Sequence, residues 1–178
     1  MDDIVRQAMA RWPDVPHCFG WLGLDVRGGW YLRDAQAQAC GGFASGAPGA
    51  RGQRLEHDKL IAFIGRNYEV DARGRWYFQN GPQRVFVELE STPWVWRLSG
   101  DGRVHTHTGL PAQVRGVWED ELGRVYLSTE RGVGLVHSQD MHVLADAVEA
   151  GRWTPQPLHS EALPQRFGYV LSPQASLA

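Results

Sequence analysis

His105 and His107 stand two residues apart in the run Arg103-Val104-His105-Thr106-His107-Thr108. On an extended strand that spacing turns both imidazoles to one face. With a carboxylate from a neighbouring strand, Glu88 or Glu90, they make a ligand set for a zinc-like ion, and the chemistry would be metal-assisted hydrolysis. Arg103 shares that face and repels a cation, so a solvated strand face is the favoured reading of the histidines. The run before them offers a second possibility. Alternation sends Val85, Val87 and Leu89 to the core and Arg84, Phe86, Glu88 and Glu90 to the opposite side. Trp94, Trp96 and Leu98 share a face one strand over, with Arg97 pointing away. Charges on adjacent strands then form a ladder worth about 0.2–1 kcal/mol per pair, or line a polar groove for a small anionic or peptide ligand. The candidate ligand-binding residues are therefore Arg84, Glu88, Trp94, Trp96, Arg103, His105 and His107; no catalytic residue and no metal ligand is assigned.

Other chemistries lack their residues. His17 and Cys18 are adjacent, and adjacent side chains rarely orient for nucleophilic catalysis, so a small buried or half-buried thiol is the simpler reading. The sequence holds no G-x-S-x-G elbow, no P-loop Lys-Ser/Thr and no H-E-x-x-H, and no G-x-G-x-x-G that follows a strand. No cofactor is implied. Of the 8 tryptophans, Trp12, Trp30, Trp76 and Trp118 fall at core positions. Trp94 and Trp96, after Pro93, are the better placed for an exposed aromatic shelf, although core packing is favoured even there.

The elements that must position these residues can be read in order. Asp2–Trp12 has helical spacing and ends at Pro13; Gly20–Arg33 reads as a hairpin. Ala35–Gly52, dense in glycine and small residues, reads as a mobile surface loop. Gln53–Tyr68 is an amphipathic helix with Leu60, Ile64 and Tyr68 on one face. Asn67–Leu98 then reads as three antiparallel strands, followed by strands over Arg103–Thr108, Val114–Trp118 and Arg124–Thr129. A helix starts at Ser138 and ends near Gly151. Phe167–Leu171 looks like a last strand before a fraying tail.

The strongest pattern is a repeat. Asp25-x-x-Gly28-x-Trp30-Tyr31-Leu32, Asp71-x-x-Gly74-x-Trp76-Tyr77-Phe78 and Asp120-x-x-Gly123-x-Val125-Tyr126-Leu127 share one register. Asp bonds backbone groups ahead of it and Gly supplies positive φ, which closes a turn before a strand. Trp30, Trp76 and Val125 then face the core. Tyr31, Tyr77 and Tyr126 lie on the other side, where cross-strand packing is a simpler role than ligand binding.

The third copy with its flanks, V-W-E-D-E-L-G-R-V-Y-L-S-T-E-R-G-V-G-L, resembles the propeller repeat of bacterial two-component sensor proteins. Uneven spacing and intervening helices argue against a closed propeller. More broadly, W-Y-L, an amphipathic helix, D-x-x-G-x-W-Y-F and Q-R-V-F-V-E-L-E-S-T-P-W-V, over roughly Gly20–Leu98, are similar to an uncharacterised bacterial family known only as a domain of unknown function. That resemblance implies a duplicated α+β motif and a link to signal transduction. It brings no catalytic residues with it.

Composition bounds the rest. The chain has 178 residues, 43% hydrophobic and 21% charged, with a formal charge of −2. This suits a globular fold, and the charge gives no attraction for nucleic acid. The acidic start and the lack of a long apolar run lead us to expect neither a secretory signal nor a membrane span. Two cysteines without metal spacing suggest reduced thiols in the cytoplasm. The sequence thus predicts an α+β fold of antiparallel meanders from two related hairpin-plus-helix motifs plus an N-terminal helix. It would form one compact domain, 1–178, with related halves 20–98 and 99–171. The function expected is non-enzymatic binding of a small molecule or protein, with a regulatory role, and homodimerisation is left open. The alternatives are the His105/His107 hydrolase and an assembly protein acting through a dimer interface.

Overall fold

The computed structural model describes residues 1–177. Its turns follow directly from the repeated aspartates. Asp25, Asp71 and Asp120 each accept, through Oδ1, the backbone N–H four residues ahead at 2.7, 3.0 and 2.9 Å. Their own N–H groups donate to the carbonyl of the same residue at 3.0 Å. Gly28, Gly74 and Gly123 take φ of +80°, +76° and +72°, where a Cβ would be strained. Each turn launches a strand whose Trp30, Trp76 or Val125 is buried. Tyr77 and Tyr126 are buried on the other side and Tyr31 is half-buried, as cross-strand packing requires.

The chain divides into two compact units, and the fold is α+β. The first unit takes in Met1–Asp25, Gly29–Glu90 and the C-terminal segment from Tyr169. It contains α1 (Asp3–Arg11), β1 (Cys18–Leu24), β2 (Trp30–Leu32), α2 (Ala35–Cys40), β3 (Gln53–Arg54), α3 (Asp58–Arg66), β4 (Tyr68–Val70), β5 (Trp76–Asn80) and β6 (Gln83–Leu89). The strands form one sheet in the order β3-β2-β1-β6-β5-β4. Its two hairpin systems are antiparallel and join through a parallel pair, β1 with β6, so the sheet is mixed. Leu22, Leu24, Trp30, Ile64 and Val87 lie in its core.

The second unit takes in Val26–Gly28 and Ser91–Gly168. It contains β7 (Trp94–Leu98), β8 (Val104–Thr106), β9 (Pro111–Ala112), β10 (Val114–Glu119), β11 (Val125–Thr129), β12 (Gly132–Val136), α4 (Met141–Glu149), β13 (Gln156–Pro157) and α5 (Leu163–Phe167). Sheet order is β13-β10-β11-β12-β7-β8-β9. Both edge strands are two residues long and carry a proline, Pro111 or Pro157, which blunts them against further pairing.

Four readings of the sequence need correction. Asn67–Leu98 is not one three-stranded meander: β4, β5 and β6 form it, while Trp94–Leu98 pairs with β8 and β12 in the other sheet. The charge ladder between Arg84–Glu90 and Trp94–Leu98 therefore does not form. Ala35–Gly52 is not a bare loop, since it contains α2 and buries Phe43 and Ala50. Phe167–Leu171 is no strand: α5 ends at Phe167, and Gly168 caps it in a left-handed conformation. The tail beyond it is anchored by Ser172 and Gln174; Ala178 lies outside the described residues.

The third turn is heavily bonded. The buried Asp120 carboxylate accepts from the Arg124 and Leu122 amides, the Arg124 guanidinium and the Tyr126 hydroxyl. Burial alone would raise its pKa, but these bonds, led by the Arg124 amide and the Tyr126 hydroxyl, hold it below the ordinary value. Burial and the same carboxylate push Tyr126 up to about 12. Asp120→Ala should lower the unfolding free energy by about 2–3 kcal/mol at pH 7 in urea denaturation. A carboxyl with a depressed folded pKa stabilises above its ordinary value of 3.8 and loses that contribution as pH falls through the depressed value. The gap between wild type and variant should therefore shrink in acid; a gap that is constant or grows would contradict the assignment.

Candidate functional site

The residues singled out from sequence are divided between the two units. Arg84 and Glu88 belong to the first unit, and Trp94, Trp96, Arg103, His105 and His107 to the second. Arg84 lies over the Tyr77 ring, 4.6 Å from its centroid. Trp94 and Trp96 are buried, with indole N–H groups donating to the Arg131 and Leu127 carbonyls at 2.7 and 2.9 Å. They are core and form no shelf. Arg103 pairs with Asp101 on the surface.

The two histidines part company because β8 ends at Thr106. A turn follows, closed by Gly109 N–H to the Thr106 carbonyl, and His107 leaves the strand. Its Nδ1 accepts the Val95 N–H at 3.3 Å and its ring lies against Trp94. His105 stays in register opposite Arg97. The i, i+2 face expected of them is thus absent. Among the described residues, no group of three or more His, Cys, Asp or Glu side chains is placed to hold a metal ion. The hydrolase reading loses its ligand set.

β6 is central in its sheet and, from Phe86 to Leu89, buried on both faces, which alternation alone does not reveal. Phe86 stacks on Phe19, with ring centroids 4.5 Å apart, and Arg75 lies over it. Glu88 is buried too. It accepts the Ser172 hydroxyl at 2.5 Å and the Gln174 amide at 3.0 Å, which ties down the C-terminal segment. Burial pushes the Glu88 carboxyl above its usual range, against the pull of those two bonds and of Arg33.

The concave feature of the first unit is elsewhere. Against the sheet lies a cavity of about 660 Å³. Leu22, Leu32, Phe78 and Val85 of the sheet, Leu60 and Ile64 of α3, and Ala37 of α2 line it, with Gly49 and Gly52 from the segment after α2. Trp21 and Leu32 stay half exposed where they line it. A Cβ on Gly52 would sit 2.2 Å from the Leu32 carbonyl oxygen, so only glycine lets the loop close here.

Arg33 organises this wall. Although 1% exposed, its guanidinium has no carboxylate partner among the described residues. It donates instead to backbone carbonyls: Nε to Ala50 at 2.7 Å, Nη1 to Gly20 at 3.1 Å, Nη2 to Gly41 at 2.5 Å and, more loosely, to Ala37 at 3.5 Å. One side chain thus ties β1, α2 and both ends of the glycine-rich segment together. Asp34, the other charged residue of the lining, accepts the Ala37 N–H at 2.8 Å and caps α2. Sequence reasoning missed this site. Its signal was the glycine run itself, with Arg33 and Asp34 just before it.

Two mixed sheets with helices define an α+β protein. The model of a family described as "Protein of unknown function (DUF2946)" matches residues 1–174, and the chain belongs to that family. No curated protein matches the chain. Two solved structures are similar in part. One is a DUF1285 family protein from Silicibacter pomeroyi DSS-3, 14% identical, with a TM-score of 0.47 over 71% of this chain and 68% of that one. The other is a DUF1285 family protein from Shewanella baltica OS155, 15% identical, with a TM-score of 0.46 over 71% of this chain and 91% of that one. No helix among the described residues is long and apolar enough to cross a membrane.

Two outcomes are expected. Arg33→Leu should cost about 3 kcal/mol or more, because it leaves buried carbonyls unsatisfied, and limited proteolysis should then cut first within Gly41–Gly52. Cleavage elsewhere first would show that Arg33 does not hold that segment. Glu88→Gln tests the buried acid. A carboxyl whose folded pKa is raised stabilises most below its ordinary value of 4.5 and loses that contribution as pH rises through the raised value. The variant should therefore gain stability relative to wild type between pH 4 and pH 7, read as the difference in Tm at each pH.

Proposed function

We propose that this protein is a binding module that holds a small, largely apolar molecule in the cavity of its first unit, without a chemical step. The observation that carries this reading is the cavity's size and lining. About 660 Å³ falls within the range of small-molecule sites, and its walls are aliphatic and aromatic with a few polar groups. The charged lining residues support binding over catalysis, since Asp34 caps a helix and Arg33 anchors backbone carbonyls. A cytoplasmic, regulatory setting fits the free thiols of Cys18 and Cys40, and Cys40 lines the cavity. Ligand occupancy would act through the segment that Arg33 fixes, which borders both the cavity and β1.

Nile red, a neutral apolar dye, should bind the wild-type protein at one saturable site with enhanced emission. Leu60→Trp, which fills the cavity from α3, should weaken that binding about tenfold or more. Leu122→Ser removes the most exposed leucine, 72% exposed on the second unit, and should leave it unchanged. Dye binding that survives Leu60→Trp and falls with Leu122→Ser would sink the proposal.

A further inference from the structure

We infer that the ligand of this cavity is an amphipathic monoanion, an apolar body bearing one carboxylate that Arg33 receives. The inference rests on the cavity being the binding site proposed above. A guanidinium carries five N–H donors, two of them on Nη1. Nη1 of Arg33 has one partner among the described residues, the Gly20 carbonyl at 3.1 Å, while Nε and Nη2 are taken up by Ala50, Gly41 and Ala37. One Nη1 hydrogen is left over on a side chain that is 1% exposed and lines the cavity.

The charge is in the same position. Carbonyl dipoles alone touch it, and a buried cation without a carboxylate in contact is costly. Glu88 acts on it only through space, its own oxygens being bound by Ser172 and Gln174. A ligand carboxylate would supply both the missing acceptor and a counter-charge in direct contact, in a low-dielectric setting where such a bond is strongest. Leu22, Leu60, Ile64, Phe78 and Val85 would take the apolar body. Asp34 in the lining disfavours a second negative charge, and this selects a monoanion over a phosphate or a dicarboxylate.

Decanoate and decanol share a carbon chain and differ in the headgroup. Both are titrated into the wild-type protein at pH 8 by calorimetry, below their aggregation limits, and into Leu60→Trp as the blocked control. Decanoate should bind about tenfold or more tighter than decanol, and both should be lost in the control. Equal affinities, or tighter decanol, would overturn the anion while leaving the cavity as a binding site. No binding of either would overturn the cavity reading and the anion with it. Arg33→Gln adds a second readout: where it still binds decanol, the preference for decanoate should be gone. If that variant fails to fold, the wild-type pair of titrations decides alone.

Discussion

A single buried guanidinium holds the first unit's cavity open. Removing a cation from water is expensive, and most proteins offset that cost with a carboxylate. Arg33 instead gathers carbonyls from Gly20, Ala37, Gly41 and Ala50. Gly20 lies at an irregularity of the β1–β6 pairing and Gly41 just beyond α2, where carbonyls need donors from outside their own element. The consequence is geometric. A segment rich in glycine, which would lose much conformational entropy on ordering, is held as a wall with Phe43 and Ala50 buried. Phe43 in turn lies edge-on to Tyr31, and Arg51, which pairs with Glu90, lies over both rings.

How much of this was legible depended on the range of the interaction. The D-x-x-G turns were plain, because Asp71 and Arg75, or Asp120 and Arg124, meet within five residues. The helices over Asp3–Arg11 and Met141–Glu149 followed from periodicity for the same reason, whereas the helix read over Gln53–Tyr68 is only Asp58–Arg66, with Gln53–Arg54 and Tyr68 in strands. Sheet membership was not legible. Nothing local tells β6 that it will pair in parallel with β1, or β7 that it will pair with β12, since those partners are far off in sequence.

The site failed to show for the same cause. His105 and His107 looked like a pair only while Arg103–Thr108 was taken as a continuous strand. The turn from Thr106 to Gly109, with the Thr106 and Thr108 hydroxyls 2.8 Å apart, separates them. Glu88 looked like a surface acid because strand alternation assigns one solvated face, whereas β6 has none from Phe86 to Leu89. Arg33 looked like the ordinary charged end of a hairpin. Its four carbonyl partners span residues 20 to 50, a spread that no motif records.

The most direct test of the account is an amide-resolved NMR titration of the wild-type protein with decanoate. The account predicts saturable shifts confined to the cavity wall, at Asp34, Ala37, Gly49, Gly52 and Leu60, with Trp96 and Tyr126 of the second unit unmoved. Shifts centred on Trp94, Trp96 and His107, or no shifts at saturating ligand, would contradict it.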